Sequence, residues 1–334
     1  MPPLFTSVAI VFASVLCSLA VAQAQEVRET RSDGASAKPA IVLAAFGTTV
    51  PEALPGILHI RDRIQQRFPQ TEVRIAFTSN MIRKIWHKRQ NDAAFKQANP
   101  QVPHHIYTVQ GPLATIANLQ DEGYVTIVVQ PGHISLGEEY LDLVSYIDGL
   151  NAIRTIKEKN QPFLKLAISR PALGAMGVKH PYADDLRAVA KALADDARKA
   201  REAGCALLYF GHGNEYFPSS GALLQLVQVM REMYPETQTY LTNVEGFPDL
   251  EVVMREMKRD KVGKVLLKPF MVVAGDHAIN DMAGDAPDSV QSRLGKNGFQ
   301  VTAIKQGLGE KDGFADVFVS HLEQTALDCG ITLK

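Results

Sequence analysis

Residues 205–214 read CALLYFGHGN and residues 40–49 read AIVLAAFGTT. Each is an apolar run of strand length that breaks at a glycine, the pattern of a buried strand running into a tight turn. Apolar residues in unbroken succession, without polar alternation, fit a strand covered on both faces, as in the parallel sheet of an α/β protein. Two such openings, one in each half of the chain, point to two similar lobes.

Working outward from 40–46, residues 51–68 carry helical spacing through Leu54, Ile57, Ile60 and Ile64, and 72–77 (EVRIAF) is the next strand. Thr78, Ser79 and Asn80 supply an N-cap cluster for a helix bearing Ile82, Ile85 and Trp86. Residues 91–103 read as irregular, 106–109 as a short strand, 113–119 as a helix and 124–130 (YVTIVVQ) as a strong strand. A helix begins at Glu138 and a strand covers 164–168. Around 205–210 the rhythm repeats: helix 182–203 before it, then helix 221–233, strand 237–241, helix 248–257, a strand into Lys268, a helix from Ile279, strand 300–304 and helix 314–326. Alternation of this kind predicts an α/β fold of two lobes, parallel sheets flanked by helices, facing each other across a cleft. The Gly- and Pro-containing crossover at 170–179 divides residues 40–170 from 171–334.

The first 25 residues contain no charged side chain, and Ala22-Gln23-Ala24 fits a small-x-small cleavage site. Residues 1–24 therefore read as a secretory signal peptide, 25–39 as a disordered leader, and the mature chain as periplasmic without stable membrane insertion. Cys205 and Cys329 remain after cleavage, as one disulfide or as two separate thiols. A net charge of -1, with no basic run, argues against nucleic acid as a partner. No GxSxG supports a nucleophile-elbow hydrolase, and no GxxxxGK[ST] or GxGxxG supports a nucleotide site.

Chemistry concentrates where strands end. Residues 268–285 read KPFMVVAGDHAINDMAGD, placing Asp276, His277, Asn280, Asp281 and Asp285 within ten residues of one another. Ligands of open α/β sheets bind beyond the carboxyl ends of strands, which is where His277 and His212 both fall. With the acidic turn Gly137-Glu138-Glu139 of the first lobe, they make a trio that suits a divalent transition metal or serves as general acid and base. Arg83 and Lys84, near a strand end, could steer an anionic ligand.

Taken together, GDHAINDMAGD with the preceding KPFMVV, the GHG at 211–213, FGTT at 46–49, TSNMIRK at 78–84 and HISLGEEY at 133–140 resemble the anaerobic cobalt chelatases of the class II chelatase family. The likeness runs from Ala40 to the C-terminal helix. It implies two flavodoxin-like lobes and insertion of Co2+ into sirohydrochlorin with loss of two pyrrole protons and no nucleotide. It also implies His212, His277 and Glu139 as metal-binding and catalytic residues. Arg83, Lys84, Thr48 and Ser79 become candidates for the rim of carboxylates on the tetrapyrrole, with His133 next in line as a ligand or a turn residue. An exported chelatase departs from the cytoplasmic habit of the family. Fe2+ as the metal, a homo-oligomer, and a periplasmic carrier of haem, tetrapyrrole or metal on the same fold stay open. His87, His104 and His105 match no motif and are surface side chains or an accessory haem or metal site.

Overall fold

Two four-stranded sheets, every strand parallel, form the frame of the computed structural model, which describes residues 38–215 and 220–334. The signal peptide and nearly all of the leader lie outside the described residues. In the first sheet the order is β2-β1-β3-β4, with β1 at Pro39–Ala45, β2 at Glu72–Phe77, β3 at Thr126–Gly132 and β4 at Lys165–Ile168. The second repeats it as β6-β5-β7-β8, with β5 at Ala206–Gly213, β6 at Thr239–Glu245, β7 at Lys264–Pro269 and β8 at Gln300–Ala303. In both, the central strands are the continuous apolar runs, because only there are both faces covered.

The first lobe carries α1 (Pro55–Arg67), α2 (Asn80–Arg89), α3 (Ala93–Ala98), α4 (His104–Tyr107), α5 (Pro112–Asp121) and α6 (Glu138–Asn151). After the crossover come α7 (Tyr182–Ala192), α8 (Ala194–Glu202), α9 (Ser220–Met233), α10 (Leu250–Arg259), α11 (Val290–Lys296) and α12 (Asp312–Asp328). Alternate residues of each strand face different cores. Ile41 and Leu43 of β1 share one core with Leu207 and Tyr209 of β5, through Ile57 and Ile60 of α1 and Phe314 and Phe318 of α12. Val42 and Ala44 face outward onto α5 and α6, and Leu208 and Phe210 face outward onto α10 and α11. A shared middle layer thus joins the sheets.

The last helix belongs to that joint. α12 packs against α1 and β3 of the first lobe and α7 of the second. Arg63 grips Asp316 through two nitrogens at 2.7–2.9 Å, and the backbone of Lys334 accepts from Gln70 N at 2.9 Å. Bidentate guanidinium–carboxylate geometry fixes helix register as well as distance.

Four local readings need correction. Residues 106–109 do not form a strand: His104–Tyr107 is helical, and only an isolated bridge from Gln110 to Ala76 continues the sheet. The segment taken as irregular contains α3, capped by Asp92, whose carboxylate accepts the Phe95 N–H at 2.9 Å. The long helix at 182–203 breaks at Leu193 into α7 and α8. β6 runs four residues further than its apolar part, to Glu245.

Candidate functional site

His212 and His277 come together beyond the second sheet. β5 keeps strand pairing through Gly213, so His212 is held by the sheet itself. Glycine is required beside it: Gly213 has φ +72°, and a Cβ there would lie 2.0 Å from the Glu245 carbonyl oxygen. His277 opens a π-helical turn, His277–Met282, started by the Gly275 carbonyl accepting from Ala278 N and Ile279 N, each at 3.1 Å. Single π turns inside helical segments recur at functional sites because they re-aim one side chain. The two imidazole centroids are 5.0 Å apart with planes at 83°.

Hydrogen bonds set which nitrogen each ring offers. His212 Nδ1 lies 2.9 Å from the Gly213 carbonyl, and His277 Nδ1 lies 2.5 Å from Asp281 Oδ2. Both partners are acceptors, so Nδ1 carries the proton in each ring and Nε2 keeps its lone pair. His212 is exposed and His277 half-exposed, leaving two Nε2 atoms for a metal ion or a proton.

Carboxylates approach from two sides. Glu138 and Glu139 occupy the first turn of α6, where the positive end of the helix dipole favours them. Glu138 Oε2 accepts from Asn214 Nδ2 at 3.3 Å, joining the lobes next to His212. The lobes also meet where Thr48 Oγ1 lies 3.3 Å from the position a Cβ on Gly275 would take. Glu139 is exposed beside Glu138. Among the described residues, no three His, Cys, Asp or Glu side chains are gathered closely enough to hold a metal ion. The structure thus unites the histidines and leaves Glu139 apart from them.

Glu245 was missed by the sequence reading. It ends β6, exposed, and pairs in register with Gly213, the residue after His212. Ending the strand at Leu241, where the apolar run stops, hid the fact that β6 delivers a carboxylate to the same edge.

The first-lobe residues are engaged differently. The Thr48 carbonyl accepts from Trp86 Nε1 at 2.7 Å, and its buried hydroxyl accepts from Val50 N at 3.1 Å. Ser79 is the N-cap of α2, its hydroxyl accepting from Ile82 N at 3.4 Å. Arg83 donates to the carbonyls of Phe77 and Thr78 and to Asn80, so its guanidinium turns back on its own lobe. Lys84 is exposed on α2. His133 follows β3; the residue is partly exposed, but both ring nitrogens are sealed and unbonded, and burial pushes its pKa down to about 4. The ring is neutral at pH 7.

Further away, His87 Nε2 pairs with the Val109 carbonyl at 2.7 Å. His105 lines a cavity of about 470 Å³ with Arg61, Arg74 and Gln110, and burial lowers its pKa, with Arg61 and His104 adding to the effect. Cys205 and Cys329 are free thiols. No helix among the described residues is long and apolar enough to cross a membrane.

Comparison with known proteins places these features in a family. The model of the family described as cobalt chelatase (CbiK) matches residues 39–327. The sirohydrochlorin cobaltochelatase CbiKC of Nitratidesulfovibrio vulgaris is 28% identical over 85% of this chain and 89% of its own. The sirohydrochlorin cobaltochelatase of Salmonella typhimurium is 28% identical over 86% of this chain and 96% of its own. The solved structure of CbiX, described as the terminal enzyme for biosynthesis of siroheme in denitrifying bacteria, matches 85% of this chain and 98% of its own at 15% identity and a TM-score of 0.49.

Proposed function

The chain belongs to the cobalt chelatase (CbiK) family, and from that premise we propose that it inserts Co2+ into sirohydrochlorin at the His212–His277 edge, releasing two pyrrole protons and using no nucleotide. The supporting observation is the ring pair itself, 5.0 Å between centroids with both Nδ1 atoms engaged. A divalent metal entering a tetrapyrrole displaces two N–H protons, so the site needs donors that hold the metal and bases that take protons. Two Nε2 lone pairs can do either.

Glu139, at the start of α6 in the first lobe, is the carboxylate we assign to this exchange, and Glu245 is its competitor from the second. Rim carboxylates of the substrate fall to exposed Lys84 and to the hydroxyl of Ser79, with Arg83 contributing its charge from behind, and the buried Thr48 hydroxyl stays with its own turn. Fe2+ suits the same donors, so both metals belong in the test. The mature chain is assigned to the periplasm on the strength of residues 1–24.

Anaerobic absorbance of the mature protein with sirohydrochlorin and Co2+ or Fe2+ tests this reading. Multiple turnovers by the parent, lost in His212→Ala and His277→Ala, are expected. Loss in Glu139→Gln but not Glu245→Gln assigns the carboxylate, and the reverse result moves it to β6. Binding without turnover would leave a carrier on a chelatase fold.

A further inference from the structure

Upstream of the two histidines, where β5 and β7 pair, lies a charged cluster that the proposed metal insertion does not touch. Asp196 of α8 is fully buried. Its Oδ1 accepts from Lys268 Nζ and from Lys311 Nζ, the latter at 2.5 Å, and its Oδ2 accepts from Tyr209 OH at 3.0 Å. Lys268, 1% exposed, and Tyr209 are direct neighbours in the β5–β7 register. Burial lowers the Lys268 pKa, opposed by Asp196. One carboxylate thus faces two ammonium groups in the interior. Ion pairs so buried repay little of their desolvation, and an apolar side chain of similar volume often serves stability as well. Stability is therefore a weak explanation for this one.

Its position offers a stronger one. Tyr209 lies three residues before His212 on β5, and Lys268 opens the stem that leads to His277. That stem is held a second time: Met271 and Val272 carbonyls accept from Leu308 N at 2.8 Å and Gly309 N at 2.9 Å, just before Lys311. A closed bracket results, with Asp196 at one end and two backbone bonds at the other, and α12 carries it to the first lobe. We infer that Lys268 and Lys311, through Asp196, are positioning residues that fix the separation of His212 and His277 and thereby the affinity for the metal. The inference rests on the proposed use of the histidine pair.

Co2+ titration of the mature protein, read by visible absorption of the bound ion and paired with thermal melting, tests it. Lys268→Met keeps the volume and leaves Asp196 with Lys311 and Tyr209. The expected result is a Co2+ dissociation constant raised about tenfold or more, as for other supports of metal ligands, with an altered absorption band and a preserved melting transition. Lys311→Met should weaken binding in the same direction and Lys311→Arg should restore it. Parent-like affinity and spectrum in folded Lys268→Met and Lys311→Met overturn the positioning role while leaving the histidine site intact. Failure of the parent itself to bind Co2+ overturns the proposed site, and the inference with it.

Discussion

The two lobes repeat one strand order and spend their strand-end residues in opposite ways. In the first, Thr48, Ser79 and Arg83 are bonded to their own lobe, and Trp86 is sealed beneath them. In the second, His212 and His277 bond through one nitrogen each, His212 exposed and His277 half-exposed. At these strand ends a duplicated frame can therefore divide its labour: Thr48, Ser79 and Arg83 hold the turns of their own lobe, and His212 and His277 offer free ring nitrogens. Sharing a fold does not make the two edges chemically alike.

Removing these rings should break the contrast most visibly. His212→Ala or His277→Ala is expected to lower metal insertion by about 10²-fold or more, with stability changed by less than about 1 kcal/mol because neither ring is buried. The double variant should be little worse than the weaker single, since groups acting as a unit are not additive. Initial rates and urea melts together measure both.

The opposite signature is expected of Trp86→Phe. It removes the buried N–H that the Thr48 carbonyl accepts, costing about 1–3 kcal/mol, while the rate per folded molecule stays within about twofold of the parent. Equilibrium urea unfolding beside kinetics would separate the two lobes' roles.

A pH series sharpens the same point at His133. Its folded pKa of about 4 lies below the ordinary histidine value near ~6.5, so the unfolded chain takes up the proton first. Stability should fall as pH drops from about 6.5 towards 4, by roughly 1–3 kcal/mol, and recover fully above that window. In His133→Leu the slope across this range should flatten. A slope unchanged by the substitution would contradict the sealed, neutral ring.

The smallest effect is expected at the contact between lobes. Glu138→Gln retains an acceptor for Asn214 at an exposed position and should change stability by less than about 0.5 kcal/mol, with metal insertion nearly unaltered. Glu139→Gln, one residue on, is the sensitive partner of that comparison.

Much of the frame was legible because the strands that matter are apolar on both faces. Ala40 to Ala45 and Ala206 to Phe210 could not be mistaken for surface segments. Where polar residues continue a strand, legibility ended: Thr242 and Asn243 carry β6 past its apolar part, and Glu245 went unnoticed. The short apolar run at Ile106 fitted a strand as well as a helical turn, and neighbours in space decided it. The histidines could be found from the glycines around them. That Arg83 turns inward is fixed by carbonyls of β2 and the loop after it, which no spacing reveals. The choice between Glu138 and Glu139 likewise depends on the opposite lobe.

The position of α12 has a consequence for how the protein is made. The strands of the first sheet are all synthesised by Ile168, yet Phe314, Phe318 and Leu322, which share a core with Ile41 and Leu43, follow only after the second sheet is complete at Ala303. Beyond α12, Lys334 closes onto Thr71 through backbone and hydroxyl bonds at 2.9 Å. The first lobe is thus covered by residues made after the whole of the second sheet. Nascent chains halted before Phe314 would carry an open apolar face in want of a chaperone.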